Sequence, residues 1–210
     1  MRISFCMIAC LLLADTLRAA DAPDPKQLEL WVADLSAEEY EKRQQAEEHL
    51  RAAGVAAVPA LEAGVAKTDD AELRERARKM IEDLTLEQRL AQAWTDLNAA
   101  EWSAVQPAVE LLLNEYEARP EIPQKLAKTA EVQDKNGDLP RLMKTQLVSY
   151  DQMLERMKQM DEQNKENPGA REALRRHYSA QLDRLKSAAR QQILDEAKKL
   201  IESRAAPPSK

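Results

Sequence analysis

From Leu139 to Lys165, and again from Ala170 to Arg204, the chain is built almost entirely of helix-forming residues. The only interruption between the two runs is Asn167-Pro168-Gly169, a combination that starts turns and cannot continue a helix. At 1.5 Å per residue these runs make rods of roughly 40 and 50 Å. So tight a connection forces them to fold back on each other. Met143, Leu147, Tyr150, Leu154 and Met157 step by four and three along the first rod, the spacing of a coiled-coil seam. Leu174, Tyr178, Leu182, Leu185, Ala189, Ile193, Ala197 and Leu200 form the matching stripe on the second. The expected element is a long antiparallel helical hairpin over 138–204, with a disordered tail at 205–210. Asp138 is expected to cap its first helix ahead of Pro140.

The same logic reaches the rest of the chain, which has only 4 Gly and 4% aromatic residues against 32% charged. This is an all-α composition. At the N-terminus, Arg2 precedes an apolar run from Ile3 to Ala14 and small residues follow at Ala19 and Ala20. That order is a secretory signal peptide over 1–20, too short for a comfortable membrane span of about 20 residues. An uncleaved anchor is the alternative. Cys6 and Cys10 both fall inside this segment, so the mature chain has no disulfide or thiolate ligand. The expected location is periplasmic or secreted, with no membrane span after cleavage.

Beyond the linker Asp21–Pro25, a first helix is expected over Lys26–Asp34. A second is expected from Ser36, where Ser36 and Glu39 have capping-box spacing, with Tyr40, Ala46, His49, Leu50 and Ala53 on one face. Gly54 ends it. A further helix starting near Val55 or Ala56 places Pro59 in its first turn, where an amide N–H has no intrahelical acceptor to lose. That helix stops near Lys67. Thr68 or Asp69 is expected to cap the next one, whose apolar face is Leu73, Ala77, Met80, Ile81 and Leu84.

Sliding the sequence by 31 positions brings Arg43 onto Arg74, Ala46 onto Ala77 and Leu50 onto Ile81. A recurring helix pair is the mark of an α-solenoid. Val58-Pro59-Ala60-Leu61, the acidic turn Asp69-Asp70, and Leu73, Arg74 and Ala77 together resemble a HEAT repeat over Val55–Leu84, and Lys26–Ala53 resembles a more divergent preceding one. The resemblance implies that Pro59, Leu61, Asp69, Asp70, Arg74, Ala77, Arg43 and Ala46 are structural, and that function lies on the exposed surface of the stack. Pro107-Ala108-Val109-Glu110 echoes the proline-bearing helix, so a degenerate third repeat would extend to about 135, although Arg119 and Pro120 stand where the acidic turn belongs. The architecture expected is a short HEAT-like solenoid over 26–135 followed by the hairpin.

Charge divides unevenly along the chain. Residues 138–210 carry 15 basic and 11 acidic side chains, whereas 21–137 carry 14 and 25. Opposite signs favour docking of the two parts, within a chain or between copies. The acidic body argues against nucleic acid as a partner. Chemistry is hard to place. His49 and His177 lack the Glu-x-x-His metal pattern, since Ala46 and Leu174 stand three residues before them. Ser179 lies on a different helix face from His177. Asp134–Asp138 begins like a calcium loop, but Leu139 and Thr145 occupy its glycine and bidentate positions. No catalytic residue, cofactor or metal ligand is expected.

Met153, Met157 and Met160 belong to the hairpin core, with an adaptable hydrophobic surface as their alternative role. Trp31, Trp94 and Trp102 are read as core first and interface anchors second. Arg171, Arg175 and Arg176 form a solvated face or a dock for an acidic partner, and Glu38, Glu41, Glu47 and Glu48 a solubilising one. The expected function is an exported, non-enzymatic scaffold or adaptor for protein partners, including self-association through the hairpin. A holdase-like periplasmic chaperone gripping clients through the hairpin is the second reading. An enzyme whose acids assemble only in three dimensions is the third.

Overall fold

The computed structural model describes residues 23–133 and 136–205, and these contain helices and no strand. The elements are α1 (Pro25–Asp34), α2 (Tyr40–Ala53), a 3-10 turn (Gly54–Ala57), α3 (Val58–Lys67), α4 (Ala71–Asp96), α5 (Trp102–Glu115), α6 (Glu121–Ala130), α7 (Asp138–Gln163) and α8 (Pro168–Ala205). The signal-peptide segment, both cysteines and residues 206–210 of the tail lie outside the described residues. Among the described residues no helix is long and apolar enough to cross a membrane.

The chain divides into two compact units, the first ending at Gln88 and the second beginning at Arg89. Residues 89–135 therefore group with the two long helices, where the sequence reading grouped them with the preceding repeats. The boundary falls inside α4. That helix runs past Leu84, where the resembled repeat ends, to Asp96, and the extension holds no glycine or proline to stop it.

In the first unit α1 packs on both α2 and α3. Its core joins Leu28, Val32 and Leu35 to Ala46 and Leu50 of α2, Leu61 of α3, and Leu73, Ala77, Met80 and Leu84 of α4. Gly54 ends α2 with φ +60° and ψ −142°, a backbone region almost closed to residues bearing a Cβ. Pro59 sits in the first turn of α3. Pro107 does not share that position: it lies inside α5, five residues beyond the first. The echo between the two proline segments is thus one of composition and not of place in the helix.

Two expected caps are corrected. Ser36 does not open α2. Its hydroxyl donates back to the Ala33 carbonyl, residues 36–39 form a turn, and α2 starts at Tyr40 with no side-chain cap. For α4 the capping side chain is Asp70, and neither Thr68 nor Asp69: its Oδ1 accepts from the amides of Glu72 (2.8 Å) and Leu73 (3.3 Å). Thr68 Oγ1 accepts instead from the Asp70 amide.

In the second unit α7 and α8 pair along their length, α6 packs on α7, and α5 on α8. The pairing is antiparallel. Asp138 at the start of α7 bonds Arg204 at the end of α8 (2.7 Å), Gln146 bonds Glu196, and Asp161 bonds Arg171. Asn167 Oδ1 accepts from the Ala170 amide, and Pro168 opens α8. Asp138 is the first residue of α7 and not its cap, because its carboxylate is engaged by Arg141 and Arg204. Gly137 precedes it where a Cβ would run into the Val132 carbonyl oxygen, so this close approach of backbone excludes any larger residue. Arg141 completes the corner by donating to the carbonyls of Ala130 and Val132. Helix α6, absent from the sequence reading, buries Ile122, Leu126 and Ala130 at helical spacing against α7.

Candidate functional site

The repeat residues come together as architecture. Arg43 donates from Nη1 to the carbonyls of Ala37 (2.7 Å) and Glu38 (2.8 Å). Arg74 donates from Nη2 to the carbonyl of Thr68 (2.8 Å). In each case the guanidinium returns six residues to tie the turn before its own helix, and Ala37 and Thr68 are themselves 31 positions apart. Ala46 and Ala77 are buried at 2% and 0% exposure, and Leu61 at 0%. Asp70 caps, as described above, while Asp69 is exposed. These side chains are therefore occupied in holding turns and core. The face expected for α2 needs correction: Ala46 and Leu50 are buried, but Tyr40 (69% exposed) and His49 face outward. His49 stacks on Trp31, with ring centroids 4.7 Å apart and 14° between planes.

The arginine cluster is not an open dock. Arg171 and Arg175 both bond the Asp161 carboxylate across the hairpin turn, and Arg176 pairs with Glu172 one turn away. Hydrogen bonds from Arg171, then from Arg175, hold Asp161 well below the ordinary carboxylate range. Because its folded pKa lies under its unfolded one, the stabilisation is complete above the ordinary carboxylate pKa. It is lost as pH falls through the lower folded value. The expected result is that the Asp161 carboxyl carbon, followed by NMR, keeps its ionised shift at pH 3, below the ordinary aspartate range. Protonation of Asp161 within the ordinary aspartate range would remove the ion-pair account.

Met153, Met157 and Met160 are half-buried, as are Leu154, Leu174 and Tyr178. The buried seam of α7 ends at Tyr150, and that of α8 begins at Leu182. Between Asp151 and Gln181 no residue is buried, so this length of the hairpin is an arm two helices thick.

Where the arm meets the core, the structure assembles a cluster that sequence reasoning missed. Tyr116, just past α5, donates its hydroxyl to Asp151 Oδ2 of α7 (2.9 Å), and its ring meets that of Tyr150 edge-on at 6.4 Å. Tyr150 is 1% exposed, and its hydroxyl is engaged by the Glu117 carboxylate. Lys186 of α8 pairs with Glu117 (2.9 Å), and Arg190 with Glu110 (3.3 Å). Burial, and then the charge of Asp151, push the Tyr116 phenol far above its ordinary pKa. Burial, and then Glu117, do the same to Tyr150. Both are proton donors at any physiological pH. Burial also raises Asp151, only partly offset by the Tyr116 hydrogen bond. For Glu117 burial pulls upward too, but the Tyr150 hydroxyl and Lys186 outweigh it and leave the carboxyl below its usual range.

Comparison with protein-family models, curated proteins and solved structures yields no match. The chemistry of this fold must be read from its own residues. Among those described, no group of three or more His, Cys, Asp or Glu side chains is arranged to hold a metal ion. His177 meets only the edge of Tyr178 in the ring contacts, at 4.9 Å. The Tyr116–Asp151 pair offers a fixed donor and acceptor but no activated nucleophile beside them. The only sequence signal for the cluster was aromatic–acid adjacency at Tyr116-Glu117 and Tyr150-Asp151. Nothing local marks two such pairs, more than thirty residues apart, as neighbours.

Proposed function

We propose that this is an exported, non-enzymatic helical-repeat scaffold that binds other proteins, with the arm at 151–181 as the binding element. The observation that carries this reading is the incomplete burial of that arm. A helix is held by packing its apolar stripe against another element. Here Met153, Leu154, Met157, Met160, Leu174 and Tyr178 continue the stripe past the point where α5 and α6 cover it, and each stays half-buried. Thioethers adapt to surfaces of varied shape, which suits such a strip to a partner's apolar face. The resemblance of the first unit to HEAT repeats agrees with it, since such stacks act through exposed surfaces. The acidic balance of residues 21–137 makes a protein a better partner than a nucleic acid.

The test is saturable capture from an exported protein fraction by the immobilised full chain, compared with a Met157→Glu, Leu174→Glu variant of unchanged helicity. Retained partner should fall at least tenfold on the variant. Equal capture by both, or none by either, defeats the reading. Suppression of client aggregation at stoichiometric ratios would replace it with the holdase alternative.

A further inference from the structure

Of the 7 methionines, Met1 and Met7 lie outside the described residues, and the fold sorts the others into two groups. Met80 of α4 and Met143 of α7 are sealed in the two cores, at 2% and 0% exposure. Met153, Met157 and Met160 stand together on the arm, four and three residues apart along one face of α7, and all are half-buried. Met157 also lines an open groove of about 450 Å³ with Ser179 and Leu182 of α8, so solvent reaches the seam between the two helices. Both cysteines precede the described residues, which leaves the thioether as the oxidisable sulfur among them.

We propose that Met153, Met157 and Met160 form an oxidation switch: a hydroperoxide converts them to sulfoxides, which loosens α8 from α7 along the arm and removes the apolar strip that holds partners. For that last consequence the inference rests on the proposed function. In each step a sulfur lone pair attacks one peroxide oxygen, and the S–O bond forms as the O–O bond breaks. Sulfur is oxidised and the peroxide reduced. The proton of the attacked oxygen passes to the departing one, which leaves as water from hydrogen peroxide or as an alcohol from an organic peroxide. The product is polar and chiral where the strip had been apolar and adaptable. Three such changes fall on one face of a structure two helices thick, with no buried residue between Asp151 and Gln181 to absorb them. The same reagent is kept from Met80 and Met143 by the packing around them.

The experiment exposes the full chain to hydrogen peroxide, follows each methionine by peptide mass spectrometry, and measures amide hydrogen exchange on the product. Met153, Met157 and Met160 should each gain one oxygen at a rate roughly tenfold or more above that of Met80 and Met143. Amides of 153–178 should exchange roughly tenfold faster in the oxidised chain, while those around Met143 hold. Partner capture should fall roughly tenfold. A Met153→Leu, Met157→Leu, Met160→Leu variant keeps the apolar strip without a thioether, so its exchange and capture should be the same before and after peroxide. The proposal is overturned if the arm and core methionines oxidise at one rate, if oxidation leaves arm exchange unchanged, or if the leucine variant responds to peroxide as the parent does. Capture that survives full oxidation of the arm also overturns it and leaves the scaffold reading in place. A chain that captures no partner even untreated removes the scaffold reading alone, because oxidation rates and arm exchange still judge the switch.

Discussion

Leu61→Ala is expected to lower the unfolding free energy by about 2–5 kcal/mol. Leu61 is 0% exposed and lies in α3 within the core shared by α1, α2 and α4. Truncation forfeits the transfer of its methyl groups from water and leaves a cavity that three packed helices cannot all collapse into. The neighbourhood has little slack: in the same helix, a Cβ at Gly64 would lie 2.5 Å from the Val32 side chain. Leu61→Met, which roughly keeps the volume, should cost less than about 1.5 kcal/mol. Leu30→Ala makes the contrast, because Leu30 is 59% exposed and its loss should stay within about 0.5 kcal/mol. Urea unfolding followed by circular dichroism checks all three. A Leu61→Ala midpoint equal to that of Leu30→Ala would mean that α3 is not seated in this core.

These contrasts indicate what the sequence could reveal. Periodicity and punctuation are local, so the long helices α7 and α8, the positive-φ Gly54 and the first-turn Pro59 were legible without a structure. Helix α6 was not. Arg119 and Pro120 stood where an acidic turn was sought and no helix was assigned after them, although Ile122, Leu126 and Ala130 carry the spacing of a buried face. The caps failed for a different reason: Ser36 and Glu39 fit a capping box, but the spacing is silent about which competing group binds the turn. Here Ser36 bonds Ala33 and Arg43 takes the carbonyls of the turn. The pairing of Arg171 and Arg175 was out of reach because their shared acid, Asp161, lies across the hairpin turn. The Tyr116–Tyr150–Asp151 site could not be read at all, since it exists only where α5 and the hairpin meet.

Replacing the two repeat arginines is expected to cost about 1–3 kcal/mol each, and the two costs should add. Arg43 and Arg74 stand 31 positions apart, and each sends a charged donor to a carbonyl six residues before it, Ala37 and Thr68. An arginine that only solvated a helix face would leave stability within about 0.5 kcal/mol when changed to methionine, a residue of similar length and helix propensity. An arginine that ties a turn leaves an unpaired, partly buried carbonyl and frees the turn to fray. Arg43→Met should cost more than Arg74→Met, because Arg43 also serves the Glu38 carbonyl and its turn has no counterpart to the Asp70 cap. Lysine in place of either should recover only part of the loss, since a flexible ammonium lacks the rigid, planar guanidinium that fixes its donors toward the turn carbonyls. Additivity is informative because each arginine closes the turn before its own helix and the two share no hydrogen-bond partner. Urea midpoints for the two single variants, the double variant and both lysine variants decide the matter. Costs near zero for both methionine variants would reduce the 31-residue recurrence to a coincidence of composition, whereas comparable losses make it a repeated structural device.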